Sequence, residues 1–141
     1  MPTTGADLPL VLVVAGALVN AESRLLVTRR PPGKPMAGLW ELPGGKVEHG
    51  ETPEAALVRE LAEELGLVAE PVDLEPLTFA SHGYDAMHLL MPVFVLRRWV
   101  GEPRPRELQE LAWVSTAQLD TLAMPAADQP LTPHLRALLS A

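Results

Sequence analysis

The stretch GGKVEHGETPEAALVRELAEELGL, residues 44–67, decides the fold and raises the first chemical question. Near its end, RELAEEL places Glu60, Glu63 and Glu64 at positions i, i+3 and i+4 of a predicted helix. Side chains at these spacings are neighbours on one helix face, where like charges repel by roughly 0.2–0.5 kcal/mol per pair. The chain already carries a formal net charge of −7 at pH 7. Either this face is simply solvated, or it holds something cationic.

The helix has recognisable start and stop signals. Thr52 suits the N-cap, Pro53 suits the first helical position, and Glu54 would lie near the positive end of the helix dipole. Gly66 predicts a left-handed residue just after the last turn. The sequence therefore predicts a helix that ends at about Leu65. Its buried stripe is predicted at Ala56, Leu57, Leu61 and Leu65.

Composition fits a single globular domain over residues 1–141. Apolar residues make up 48% of the chain and charged residues 21%, as expected for a protein with a sizeable core. The absence of cysteine excludes a disulfide framework, a thiolate metal site and a cysteine nucleophile.

The apolar run at residues 8–19 is too short to span a bilayer. The preceding MPTTGAD contains no lysine or arginine, which argues against a signal peptide, so we predict a strand in a cytoplasmic protein without a membrane partner. The acidic balance argues against duplex nucleic acid as a partner, because that needs a basic face. It allows a nucleotide substrate if divalent metal ions lie between the protein and the phosphates.

Strands and helices interleave without a regular βαβ alternation, which predicts a mixed sheet with helices on both faces. We expect the strand at 24–29 to pair with the one at 10–19, and Pro92 to mark a bulge or an edge. Residues 42–51 form a predicted glycine-rich loop. The other predicted elements are strands at 40–42, 74–80, 87–99 and 111–114, a helical turn at 115–122 and a helix at 132–139.

The spacing of the glycine loop and its helix matches a known signature. Gly45 is followed by five residues, then Glu51, then seven residues, then RELAEELGL from Arg59 to Leu67. This resembles the Nudix hydrolase signature, in which all nine defined positions are matched. The resemblance implies an α+β fold, a mixed β-sheet sandwiched between α-helices (α/β/α). It also implies metal-dependent hydrolysis of a nucleoside diphosphate linked to another group.

The resemblance assigns roles to the acidic residues. The implied metal ligands are the Gly44 carbonyl and the carboxylates of Glu60, Glu63, Glu64 and Glu107. These hard oxygen ligands suit Mg²⁺, with Mn²⁺ as an alternative. Glu60 is the first candidate for the base that takes a proton from water, with Glu64 and Glu107 as alternatives. Arg59 is expected to pair with Glu51 and so to hold the loop against the helix.

Three other stretches resemble the MutT-like branch, which hydrolyses nucleoside triphosphates, notably 8-oxo-dGTP, to a monophosphate and pyrophosphate. VTRR places Arg30 at a substrate-binding position, and Lys46 either contacts a phosphate or is simply exposed. GEPRPRELQE supplies Glu107 to the metals, with Glu110 as the alternative. MPAADQPL places Asp128 where the bacterial enzyme has an asparagine that reads the base, and Met87 stands where that enzyme has an arginine.

These two departures leave the preferred base open. A broad (d)NTP or CTP pyrophosphatase, or a hydrolase of another nucleoside diphosphate derivative, is the alternative enzyme. A non-catalytic nucleotide-binding module is the alternative outside enzymology. Oligomeric state stays open between monomer and homodimer. Met36, Trp40, Phe79 and Tyr84 are candidates for stacking on a base.

Overall fold

The computed structural model describes residues 8–140. The strands are β1 (Leu10–Leu18), β2 (Leu25–Arg29), β3 (Trp40–Glu41), β4 (Gly44–Lys46), β5 (Glu75–Gly83), β6 (His88–Leu96) and β7 (Glu110–Val114). The α-helices are α1 (Pro53–Leu65), α2 (Thr116–Leu119) and α3 (Thr132–Leu139), and short 3₁₀ turns span Pro71–Asp73 and Gln129–Leu131. Within these residues no helix is long and apolar enough to cross a bilayer.

The described strands form two sheets. The first has the order β4-β1-β6-β5, in which β1 and β6 run parallel and the other pairs antiparallel. The second has the order β3-β2-β7 and is antiparallel. The sheet is therefore mixed, as predicted, but it is divided into two parts.

Alternation along β1 builds a hydrophobic core on each face. Val14 and Leu18 point to one face and pack in a cluster with the buried stripe of α1. Ala15 and Ala17 point to the opposite face and pack in a second cluster, together with buried leucines from α2 and α3. The helices thus cover both faces of the sheets, which confirms the predicted α/β/α architecture.

Helix α1 begins and ends where its sequence signals predict. The Thr52 hydroxyl accepts a hydrogen bond from the Ala55 N–H at 3.1 Å, and Pro53 is the first helical residue. Gly66 has a φ of 71°, so it closes the helix in the left-handed conformation that favours glycine. The four residues of the predicted stripe, Ala56, Leu57, Leu61 and Leu65, are fully buried at 0% exposure.

The predicted pairing of the second strand with the first is wrong. β2 pairs with β3 and β7, and it meets the first strand only through an isolated bridge between Val19 and Leu25. Both edges of β1 are occupied by β4 and β6, so no edge is left for β2. The predicted glycine-rich loop at residues 42–51 is also partly wrong, because Gly44–Lys46 forms strand β4 against β1.

Pro92 lies in an interior strand, so the predicted edge is wrong. β6 runs between β1 and β5, and the paired positions with β1 skip from Leu12–Leu90 to Ala15–Val93. Pro92 has no N–H to donate and falls in this interruption. The register shift of the β5–β6 pair lies elsewhere, between Pro76 and Thr78.

Candidate active site

Strand β4 brings the paired glycines against both β1 and α1. The Gly44 N–H donates to the Glu64 carboxylate at 3.2 Å. A Cβ on Gly44 would lie 2.0 Å from the Val14 carbonyl oxygen, inside the backbone of the central strand. Only glycine therefore lets this strand lie so close to β1 and still reach the acidic helix.

Gly45 makes room for a carboxylate. A Cβ there would lie 2.5 Å from both Cδ and Oε1 of Glu60. The Glu60 side chain, 16% exposed, thus fills the space that any larger residue at this position would occupy. The two glycines have different physical roles, since one accommodates backbone and the other accommodates a functional side chain.

Arg59 lies at the centre of an ionic network that joins the loop to the helix. Its Nε and Nη2 donate to the two oxygens of Glu51 at 2.7 and 2.9 Å, a bidentate pair. Nη2 also donates to the Lys46 carbonyl at 3.1 Å. Nη1 donates to Glu60 at 2.9 Å and to Glu63 at 3.2 Å. The structure therefore brings together Arg59, Glu51 and two of the three helix glutamates.

The acidic residues in and around this network have pKa values shifted in opposite directions. The Arg59 hydrogen bond and the Glu48 N–H lower the pKa of Glu51 to about 2, and the Glu51 carboxylate raises the pKa of Arg59 in return. Burial raises the pKa of Glu60 despite its bond to Arg59. Burial, followed by the negative charges of Glu60 and Glu107, raises the pKa of Glu64 to about 8.

The carboxylates have the chemistry of ligands for a divalent cation, but their side chains are not gathered around one point. Within the described residues, no three acidic or histidine side chains already stand close enough together to hold a metal ion. Glu60 and Glu63 are turned to the Arg59 guanidinium, and Glu64 takes the Gly44 N–H. The charges of Glu60 and Glu107 nevertheless bear on Glu64, and hard oxygen ligands in this number favour a hard cation. A divalent cation would offset the burial and the neighbouring negative charges that raise the pKa of Glu64.

A cleft of about 630 Å³ runs from this acidic cluster across the sheet. Gly44, Gly45, Glu64 and Glu107 line one part of it. Glu110, the alternative to Glu107, does not line the cleft, because it pairs with Arg29 on the neighbouring strand. The geometry therefore favours Glu107 of the two glutamates.

The predicted substrate-binding residues are placed differently from one another. Arg30 lines the cleft, but its Nε is paired with Glu41 at 2.8 Å and its Nη1 donates to the Pro35 carbonyl at 3.1 Å. Lys34, on the loop that Arg30 contacts, lines the cleft as well. Lys46 is exposed and does not line the cleft.

Asp128 lines the cleft and is 6% exposed. Burial, followed by the negative charge of Glu41, raises its pKa to about 7, against the opposing effects of the Leu42 N–H and Arg30. Near neutral pH this carboxyl can therefore donate a hydrogen bond when protonated or accept one when ionised.

Four polar residues that were not predicted from the sequence also line the cleft: Thr28, Glu41, Arg106 and Gln109. Glu41 had a signal, since strand alternation in LWEL puts it on the opposite face from its apolar neighbours. The stacking candidates Met36, Trp40, Phe79 and Tyr84 do not line the cleft. Trp40, Tyr84 and Met87 pack against the core instead, while Met36 and Phe79 are exposed.

Comparison with known proteins places this site in a family. The family model described as the NUDIX domain matches residues 9–135. The 8-oxo-dGTP diphosphatase of Escherichia coli (strain K12) is 35% identical over 127 residues, which cover 89% of this chain and 96% of that protein. The CTP pyrophosphohydrolase of the same organism is 32% identical over 133 residues, covering 93% of this chain and 96% of that one.

A solved structure has the same fold. A MutT structure from work on the Aliivibrio salmonicida and Vibrio cholerae proteins superposes with a TM-score of 0.78 at 34% identity, covering 91% of this chain and 98% of that chain. The family match and these similar proteins identify the chain as a pyrophosphohydrolase. The chain belongs to the NUDIX family, whose hydrolases generally need divalent metal ions.

Proposed function

We propose that this chain is a Mg²⁺-dependent hydrolase that converts a nucleoside triphosphate and water to a nucleoside monophosphate and pyrophosphate, with 8-oxo-dGTP as the first candidate substrate. The observation that carries the proposal is the cleft itself. Glu64 and Glu107 line it together with Gly44 and Gly45, and the buried Asp128 lines it as well. A polyphosphate bridged by cations fits the acidic part, and a purine fits beside Asp128. Such a role in nucleotide-pool sanitation belongs in the cytoplasm.

The residues proposed to hold Mg²⁺, or Mn²⁺ in its place, are the Gly44 carbonyl and the carboxylates of Glu60, Glu63, Glu64 and Glu107. When bound, the cation neutralises phosphate charge and lowers the pKa of a water molecule. A glutamate accepts the proton as the water oxygen bonds to the β-phosphorus, and the bond from that phosphorus to the α–β bridging oxygen breaks.

Glu60 remains the first candidate for the proton acceptor, since Arg59 holds its carboxylate in one orientation at 2.9 Å. Glu64 and Glu107 are the alternatives. Arg59 and Glu51 act by holding the loop and helix together. Lys34 and Arg30 line the cleft and are proposed to contact the phosphates. Lys46, for which the sequence left open either a phosphate contact or simple exposure, is less well placed because it does not line the cleft.

A broad (d)NTP or CTP pyrophosphatase is the alternative enzyme. The buried acid at Asp128 is compatible with it, because a protonated carboxyl can also donate to a pyrimidine carbonyl. The CTP pyrophosphohydrolase relative at 32% identity supports the same alternative. A binding module without catalysis has less support, since simple nucleotide capture does not require so many carboxylates in one cleft.

A Mg²⁺-dependent screen of 8-oxo-dGTP, dGTP, CTP and ADP-ribose, with product identification, tests the proposal. We expect the highest kcat/KM for 8-oxo-dGTP, with pyrophosphate and monophosphate as products. A preference for CTP would select the alternative enzyme, and dominant cleavage of ADP-ribose would contradict the triphosphate assignment. No turnover of any of the four would move the binding module ahead.

A further inference from the structure

The loop that carries Glu107 is fastened along the C-terminal end of α1. The Arg104 N–H donates to the Leu65 carbonyl at 3.0 Å, and the Arg106 N–H donates to the Glu64 carbonyl at 3.1 Å. The Arg106 guanidinium reaches the Ala62 carbonyl at 3.1 Å. The bonds to Glu64 and Leu65 satisfy carbonyls of the last helical turn, whereas the Ala62 carbonyl also accepts the Gly66 N–H at 3.1 Å. Together the three bonds bring the loop beside the helix glutamates.

Gln109 completes the attachment with both ends of its side-chain amide. Its Nε2 donates to the Glu64 carbonyl at 3.0 Å, and its Oε1 accepts from the Glu107 N–H at 2.8 Å. A primary amide is needed for this bridge, because one group must donate while the other accepts. Leu108, between them, has a φ of 62°, and this left-handed turn is compatible with the contact across two residues.

We propose that Gln109 is a positioning residue that holds the Glu107 backbone at a fixed distance from the backbone of Glu64. The inference rests on the proposed function, in which both carboxylates hold the same cations. The Arg104 and Arg106 bonds fix the start of the loop without Gln109. Loss of the amide would therefore free the Glu107 end of the loop while the fold and the rest of the attachment persist.

The test compares Gln109→Met, which keeps the side-chain length without the amide, with Gln118→Met as a matched control. Gln118 also accepts a backbone N–H, from Ser115 at 2.9 Å, but it does so in α2. Binding of Mn²⁺ is measured by the electron paramagnetic resonance signal of the free ion, and kcat and KM are measured against Mg²⁺ concentration. Gln109→Met should weaken Mn²⁺ binding and raise the half-activating Mg²⁺ concentration by about tenfold. KM for the nucleotide at saturating Mg²⁺ should change little.

A double-mutant cycle with Glu107→Gln separates positioning from a general structural role. If Gln109 acts through Glu107, Gln109→Met should cause no further loss of Mn²⁺ binding in the Glu107→Gln background. Additive losses, unchanged binding in Gln109→Met, or an equal loss in Gln118→Met would each overturn the proposal. If Gln109→Met does not fold, Gln109→Glu, which keeps only the acceptor, replaces it in the same cycle. Because Mn²⁺ binding needs no turnover, absence of hydrolysis in the wild type would contradict the proposed function without deciding this one.

Discussion

At the scale of single residues, the site contains groups that ordinary folding would avoid. Asp128 is 6% exposed and has the negative charge of Glu41 nearby, so its ionised form is disfavoured. Burial and the negative charges of Glu60 and Glu107 likewise disfavour the ionised form of Glu64. Such local conflicts are typical of functional sites, where binding of a cation or a substrate compensates for them.

The buried carboxyl of Asp128 should make stability depend on pH. Its pKa rises from 3.8 to about 7 on folding, so between these values the folded state keeps a proton that the unfolded state has released. Stability from this residue is therefore fully present below pH 3.8 and is lost as pH rises through about 7. Asp128→Asn removes the dependence. From pH 5 to pH 8 the variant should gain on the order of 2 kcal/mol in unfolding free energy relative to wild type.

Urea denaturation at the two pH values, without added metal, measures this difference. The helix glutamates are present in both proteins, so their own titration cancels in the comparison to first order. Parallel stability profiles for wild type and Asp128→Asn would show that Asp128 is not held protonated in the folded state.

At the scale of elements, strand β4 and helix α1 form the site together. Their contact depends on the two glycines, one beside the Val14 carbonyl and the other beside the Glu60 carboxylate. Gly44 is therefore needed for the fold and its neighbour Gly45 for the position of Glu60. Substituting each by alanine should separate the effect on stability from the effect on activity.

Gly44→Ala should destabilise the fold, because its Cβ would lie 2.0 Å from a backbone oxygen that cannot move without shifting β1. We expect a loss of at least about 2 kcal/mol in unfolding free energy. Gly45→Ala should leave stability nearly unchanged, because the Glu60 side chain can rotate away from the new methyl group. Its kcat should nevertheless fall by at least about tenfold, since Glu60 is displaced.

Thermal melts and steady-state kinetics on the two variants test this contrast. Full turnover in Gly45→Ala would mean that the position of Glu60 is unimportant. Wild-type stability in Gly44→Ala would mean that β4 does not pack against β1 as described.

The elements differed in how far sequence could predict them. α1 and α3 were predicted closely because their signals are local: Thr52, Pro53 and Gly66 for α1, and an amphipathic run for α3. The partners of β2 were not predictable, because pairing depends on which distant edges remain free. Strand β4 was not predicted, because the paired glycines that let it pack against β1 are locally typical of a loop.

The site residues also divide into those that local sequence predicts and those that depend on tertiary contacts. The helix glutamates, Arg59 and Glu51 follow from one continuous signature, and the structure brings Arg59 and Glu51 into contact. The contribution of Gln109 could not be predicted, since it depends on a loop that reaches a helix 45 residues away in sequence. Glu41 is close to Asp128 only because of tertiary packing.

At the scale of the whole molecule, the cleft is lined by parts of the chain that are far apart in sequence, from Val13 on β1 to Asp128 near α3. A protein with a net charge of −7 would repel a polyphosphate unless cations lie between them. Of the α1 glutamates, Glu64 lines this cleft, and Glu60 and Glu63 are bonded to Arg59 beside it. We therefore expect the α1 carboxylates to make hydrolysis depend on a divalent cation.

The Glu63→Gln variant tests whether the α1 carboxylates make hydrolysis depend on a divalent cation. Glu63 is 57% exposed and its amide replacement has nearly the same shape, so the fold should be unaffected. The measurement is pyrophosphate release from 8-oxo-dGTP across a Mg²⁺ titration, for wild type and variant side by side. We predict Mg²⁺-dependent release in the wild type and a fall in kcat of at least about 100-fold in the variant. Full Mg²⁺-dependent turnover by Glu63→Gln would contradict the assignment of the helix carboxylates as the metal site.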